Sequence, residues 1–310
     1  MRAVAAAGGR SRLSPLGLSL DIEADDEDLL ALALDRYSRW HGPVDLPRRA
    51  SLRLSIHSGD AAIPGGPCAI RVEASRLFIT GPGLDAIADS GRSEARCTIP
   101  AWLLAEPERL TGEVLDTLLL FLLTRAGRVP VHASAFLLDD VAVLLAGGSG
   151  SGKSCLALAA MQAGFPLLSD DTVYVQLEPR LRIWGLPGAV HVFPQDAPAG
   201  ESLPLRLRGG RLKRPVPPPA AMLCAITADR AVLCVLAHGE EVGLEALEAD
   251  EVEACLGEPA PGFDLLRAEV SAAVTAVTHR GGWRLTLSRD PREAIALIVD
   301  SFSCLRKRAA

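Results

Sequence analysis

One octapeptide constrains this chain more than any other stretch. Gly147-Gly148-Ser149-Gly150-Ser151-Gly152-Lys153-Ser154 fits G-x-x-x-x-G-K-[ST] in full. A loop of this kind turns backbone N–H groups toward phosphate oxygens, which needs unusual φ/ψ and no side-chain bulk, and glycine supplies both. It must then run into a helix whose free N–H groups and positive dipole end face the anion. The flanks agree: Val141–Ala146 is an apolar run that suits a buried strand, and Lys153–Gln162 has a helical pattern with Gly164 as its stop. A Gly/Ser-rich turn containing Gly-Lys by chance is the competing reading, and the strand–loop–helix context weighs against it. The expected ligand is a nucleoside triphosphate. Lys153 is expected to reach its terminal phosphates, Ser154 to offer a hydroxyl to Mg²⁺, and Cys155 to complete the binding set in the first helical turn.

Titratable residues around the loop extend the reading. Asp170-Asp171 closes the apolar run Phe165–Leu168, one crossover beyond the loop helix. In a parallel sheet that distance returns the acids to the edge that carries the loop. One carboxylate there can hold Mg²⁺, with Asp171 taken as that ligand beside Ser154, and a carboxylate can also accept a proton from an attacking hydroxyl. A polar turn after a strand is the alternative. His132 is placed at the start of the strand that pairs with the loop strand; an imidazole near a phosphate site can assist proton transfer, but a lone His at a strand start is more often structural. Arg206, Arg208, Arg211, Lys213 and Arg214 crowd together in a chain with only three lysines, split by Gly209-Gly210. They fit either an arm contacting phosphate or an acidic substrate, with Arg211 and Lys213 the candidates, or a solvated hairpin. His41, His57, His191, His238 and His279 have no ligand spacing, and no role is assigned to them.

Composition removes several classes of function. Of 310 residues 49% are hydrophobic and 23% charged, as in a globular protein large enough for one or two domains. The net charge of −6 argues against wholesale nucleic-acid or anionic-membrane binding, both of which need a positive field. The run Leu118–Leu123 is too short to span a bilayer. Seven scattered cysteines without a C-x-x-C pair speak against a zinc site, and MRAVAAAGGRSR is not followed by an apolar stretch of the export type. Reduced thiols in a cytoplasm are the expectation.

Along the chain, strands are expected at Leu16–Ile22, Leu52–Ile56, Ala69–Val72 and Leu77–Thr80. Asp25 to Asp28 should open a helix whose apolar face runs through Leu29, Ala33 and Tyr37. A second helix is expected over Thr111–Arg125, opened by a Thr/Glu capping pattern and ended by Pro130. His132–Leu138 and Val141–Ala146 should form a hairpin about Asp139-Asp140. Further strands are expected at Thr172–Leu177, Ala221–Thr227, Ala231–Leu236 and Trp283–Leu287, and Asp290-Pro291-Arg292-Glu293 should open a last helix. Pro179–Pro219 reads as a Pro/Gly-rich excursion.

The stretch VHASAFLLDDVAVLLAGGSGSGKSCLALAAMQAGFPLLSDDTVYV, Val131–Val175, resembles the kinase core of bacterial HPr kinase/phosphorylase. The specific part is a conjunction: a His fifteen residues before the first loop glycine, the loop itself, then G-h-x-L-h-S-D-D-x-V. The resemblance implies an α/β fold of the HPr kinase/phosphoenolpyruvate carboxykinase type, with ATP as donor, Mg²⁺ as cofactor and a serine hydroxyl of a small protein or peptide as acceptor. It implies that Asp170 and Asp171 include the base and that His132 assists it. The layout around the core is similar to divergent HPr-kinase-related proteins, among them lasso-peptide precursor kinases. The implied organisation is a strand-rich accessory domain over 1–110 and a P-loop kinase domain over 111–310, compatible with a homo-oligomer. A small-molecule kinase on the same scaffold and a non-catalytic nucleotide-gated binding module are the rival readings.

Overall fold

The computed structural model describes residues 8–43, 52–59, 65–186, 188–198, 203–208, 211–219, 227–256, 267–279 and 282–302. The expected strand over Ala221–Thr227, apart from Thr227, and the Gly209-Gly210 turn lie outside these. The chain divides into two compact units, Met1–Arg128 and Val129–Ala310. The division falls after Arg128 rather than near residue 110, because the helix expected over Thr111–Arg125 packs with the strands that precede it.

The first unit is built on a seven-stranded mixed sheet among the described residues. Its strands are β1 (Gly9–Leu13), β2 (Leu20–Ala24), β3 (Leu52–Ser58), β4 (Ala69–Glu73), β5 (Arg76–Gly81), β6 (Leu84–Asp89) and β7 (Glu94–Ile99), in the order β1-β2-β3-β7-β6-β5-β4. The pairs β2–β3 and β3–β7 are parallel. Helix α1 (Glu27–Ser38) makes the crossover from β2 to β3, and Asp26 caps it by accepting from the backbone N–H groups of Asp28 and Leu29 at 2.9 and 3.1 Å. Such a cap contributes about 1 kcal/mol. The run Leu16–Ile22 is not one strand. Leu16 and Gly17 take φ of 47° and 73°, so the chain reverses there, and the apolar alternation reflects a buried turn followed by β2.

Helices α2 (Ala101–Leu104) and α3 (Pro107–Arg109) lead through a π-turn, Leu110–Leu115, into α4 (Asp116–Arg125). Thr111 therefore lies inside a helical run, and its Oγ1 donates back to the Pro107 carbonyl at 2.9 Å instead of capping. The run ends before Pro130, at Gly127 with φ 87°, since glycine adopts the left-handed stop without steric penalty.

The second unit is also mixed α/β. Its strands are β8 (Val129–Val131), β9 (Ser134–Leu138), β10 (Val141–Ala146), β11 (Leu167–Ser169), β12 (Val173–Gln176), β13 (Arg182–Trp184), β14 (Val190–Val192), β15 (Arg206–Arg208), β16 (Arg211–Val216), β17 (Thr227–Ala228), β18 (Arg230–His238), β19 (Gly243–Leu247) and β20 (Gly282–Leu287). Helices α5 (Lys153–Gln162), α6 (Ala249–Leu256), α7 (Arg267–Thr278) and α8 (Pro291–Phe302) pack on them. The central sheet runs β11-β9-β10-β18-β20-β19. Strands β10, β18 and β20 are mutually parallel, and β9 is antiparallel to both β10 and β11.

Every residue of β10 is buried, as a strand covered on both faces requires. Val143 and Leu145 face a core shared with α5 and α8 through Leu156, Ile295 and Ile298. Ala142, Leu144 and Ala146 face the opposite core with Val173, Ile183 and Val277. Sandwiched this way, the strand delivers Gly147 to a fixed point on the sheet edge. The Pro/Gly-rich excursion holds a small sheet ordered β14-β16-β15, including the expected Arg206–Arg214 hairpin.

Candidate active site

At the end of β10 the chain enters the loop with Gly147 at φ 152° and leaves it with Gly152 at φ 95°. A Cβ at Gly147 would lie 2.7 Å from Ser151 Oγ, and one at Gly152 would lie 2.8 Å from Leu287 Cδ1. Both positions thus favour glycine for conformation, and a Cβ would also force the neighbouring side chain to move. Gly152 is the N-cap of α5 and brings no side chain to its first turn, so the leading N–H groups stay open to an anion.

Lys153 is buried, and its Nζ donates to the carbonyls of Gly147 and Gly148 at 2.6 and 3.0 Å. Desolvation lowers its pKa from the ordinary lysine value, and the negative field of Asp171 works against that shift. Cys155, in the first turn of α5, is pushed up to about 11 by burial and by Asp196, whose Oδ2 lies 3.7 Å from its Sγ. It is a protonated lining residue, not a thiolate nucleophile.

The crossover through α5 returns the chain along β11 to the same edge and leaves Asp170 and Asp171 there. The two acids differ in setting. Asp171 is 68% exposed, and its Oδ1 lies 3.5 Å from Nδ1 of His132. The Asp170 side chain is only 10% exposed. Its Oδ2 accepts the backbone N–H of His191 at 2.8 Å, its Oδ1 is buried without a partner, and its carbonyl accepts from Ser134 Oγ. His132 does not begin β9. It sits in the link where the chain passes from β8, which pairs with β12, to β9, which pairs with β10. That change of sheet is what turns its ring toward the acids.

These groups line one cavity of about 830 Å³ together with Ser149 to Cys155, Arg211, Lys213 and Phe193. Arg211 and Lys213 stand over the Phe193 ring at 5.9 and 5.7 Å from its centroid. The basic hairpin therefore turns two of its cations toward the cavity. Two histidines left without a role by sequence also line it: His191, on β14, and His238, at the end of β18. So do Leu287 at the end of β20, Ser288 and Arg289 in the link that follows, and Arg292 in the first turn of α8. The Asp290-Pro291 cap was a visible signal of a helix opening after a strand. What sequence alone left open was that this strand runs parallel to β10 and so ends at the loop.

The site's residues suit a magnesium-bound triphosphate on two observations. Ser151 Oγ and Asp170 Oδ1 are buried polar atoms without a partner, and Gly147, Gly150 and Gly152 hold the positive φ values that a phosphate-wrapping loop needs. Among the described residues no three His, Cys, Asp or Glu side chains gather into a metal site of their own. Among the same residues no helix is long and apolar enough to cross a membrane, and the five described cysteines are free.

No protein-family model matches this chain, and no curated protein matches it. Among solved structures, the Hpr(Ser) kinase/phosphatase from Coxiella burnetii aligns over 57% of this chain and 97% of its own, at 13% identity and a TM-score of 0.29. At that score the likeness carries no argument for the fold or the chemistry, which rest here on the residues themselves.

Proposed function

We propose that this chain is an ATP- and Mg²⁺-dependent kinase that transfers the γ-phosphate to a serine hydroxyl of a small protein or peptide. The observation that carries this reading is the His132–Asp171 contact in the cavity of a complete phosphate loop. A protein that only binds nucleotide needs the loop and no base. The resemblance of Val131–Val175 to the HPr kinase core supports the same reading and supplies the acceptor class.

The division of labour follows from exposure. Asp171, open to the cavity and beside His132, takes the acceptor proton as the new O–P bond forms and the bond to the β-phosphate breaks, releasing ADP. His132, 3.5 Å away, orients that carboxylate. Asp170 and Ser154 would hold the cation, which moves the metal role from Asp171 to its buried neighbour with the unpartnered oxygen. A cation held there would supply charge neutralisation on the phosphates. Lys153, Arg211 and Lys213 offset charge on the transferred group. This division is mostly positioning and electrostatics, as phosphoryl transfer requires.

The test is transfer of label from γ-labelled ATP to serine-containing peptides and small proteins, set against hydroxylated metabolites. Label on serine that disappears in Asp171→Asn, with ATP binding retained, is the expected result. Transfer to a metabolite alone reassigns the acceptor, and ATP binding without any transfer reduces the chain to a binding module.

A further inference from the structure

We infer that the end of the cavity built by β18 and β20 is the seat of the nucleoside, with the Arg289 guanidinium and the His238 imidazole bracketing the base. The inference rests on the proposal that Gly147–Ser154 holds a triphosphate, and goes on to say which way that group lies.

The order of elements along the sheet edge decides the direction. Asp171 at the end of β11 and His132 before β9 stand on one side of the loop. His238 at the end of β18 and Arg289 after β20 stand on the other. A triphosphate is a linear group. With its transferable end at Asp171, its other end leaves across the loop toward β18 and β20.

The chemistry at that end suits a flat heteroaromatic ring. Leu287 is buried beneath Gly152 and gives an apolar floor. His238 is exposed, with Nε2 3.4 Å from the Gly150 carbonyl, so it stands directly beside the loop. Arg289 is exposed and lines the cavity, and among the described residues no ion pair or hydrogen bond engages its side chain. Its neighbour Arg292 is different: its Nε and Nη2 each lie 3.0 Å from the Asp290 carboxylate, which neutralises it. One guanidinium and one imidazole therefore remain, both planar groups that stack on a base whatever its identity.

The experiment uses the full chain and two probes, Mg²⁺-ATP and Mg²⁺-tripolyphosphate, which share the phosphates and differ in the nucleoside. The reading is the ratio of their dissociation constants in the wild type and in Arg289→Ala/His238→Ala. A rise in the ATP-to-tripolyphosphate ratio of roughly tenfold or more, with tripolyphosphate affinity held within about twofold, is expected from the loss of base stacking. An unchanged ratio overturns the inference, whether both affinities fall together, as for phosphate contacts, or neither moves. Failure of the underlying loop reading looks different. A wild type that binds neither probe, or a Lys153→Ala variant that binds both as tightly as the wild type, removes that reading and this one with it.

Discussion

Nδ1 of His132 lies 3.5 Å from Oδ1 of Asp171, although the residues come from different segments of the chain and the phosphate loop lies between them in sequence. The pair exists because β9 and β11 are neighbours in the sheet, with the start of one beside the end of the other. If Asp171 is the base and His132 its orienting partner, their contributions are coupled. Asp171→Asn is expected to lower single-turnover transfer by about 10²–10⁴ while leaving ATP affinity unchanged. His132→Asn should lose less, and adding it to Asp171→Asn should cost little more. Additive losses would show that the two act independently.

Lys153 separates binding from stability. Its burial lowers the ammonium pKa, so the folded chain binds this proton less tightly than the unfolded chain. Folding stability therefore gains a contribution as pH rises through the interval ending at the ordinary lysine value of 10.5, and at neutral pH the buried charge is a cost. Lys153→Met is expected to melt at or above the wild-type temperature at pH 7, to lose that alkaline contribution, and to lose the thermal shift that Mg²⁺-ATP gives the wild type. A variant that keeps the ATP-induced shift would contradict the loop assignment.

The glycines should divide by geometry rather than by motif position. Gly152→Ala meets both a φ of 95° and the Leu287 side chain, and Gly147→Ala meets a φ of 152° and Ser151. Each is expected to destabilise the second unit by about 1–3 kcal/mol and to abolish nucleotide binding. Gly148 has ordinary φ, and a methyl group added there would meet nothing within 4 Å, so Gly148→Ala should fold as the wild type does. Calorimetric melting of the three variants, with and without Mg²⁺-ATP, checks the ranking.

In the first unit, Arg36 Nε and Nη2 donate to the two oxygens of Asp116 at 3.2 and 2.5 Å. Burial raises the Asp116 pKa, and the guanidinium holds the shift in check. Arg36→Ala would leave that carboxylate buried and uncompensated, a loss of about 1–3 kcal/mol after allowing for the partly exposed arginine. The loss should shrink as pH falls through the raised Asp116 pKa, because a neutral carboxyl no longer needs the partner. A pH-independent loss would assign the effect to packing of the arginine stem.

Cys155 should be slow to alkylate. A thiol in the first turn of a helix is often acidic, yet burial and Asp196 raise this one to about 11. Iodoacetamide labelling at pH 7.5 is expected to trail that of exposed Cys255, and Asp196→Asn should narrow the gap.

What the sequence determined by itself was the local chemistry. The loop needs its glycines within a few residues of one another, so Gly147 to Ser154 were legible as a motif, as were the flanking strand, helix α5 and the hairpin at Asp139-Asp140. The capped helices at Asp26 and Asp290 were legible for the same reason: a cap is a contact between neighbours. Tertiary structure decided what depends on which strands lie side by side. The sequence could not say which of Asp170 and Asp171 is the base and took Asp171 as the metal ligand, whereas burial against β14 distinguishes the anchored Asp170 from the open Asp171. His191 lies on a three-residue strand, too short for any periodicity, and reaches the cavity because β14 lies beside Asp170. Arg289 reads as a residue next to a helix cap, and becomes part of the site because β20 runs parallel to β10 and so ends at the same edge. Short-range backbone geometry is written in adjacent residues, whereas the neighbourhood of a strand is set by packing among residues far apart in the chain.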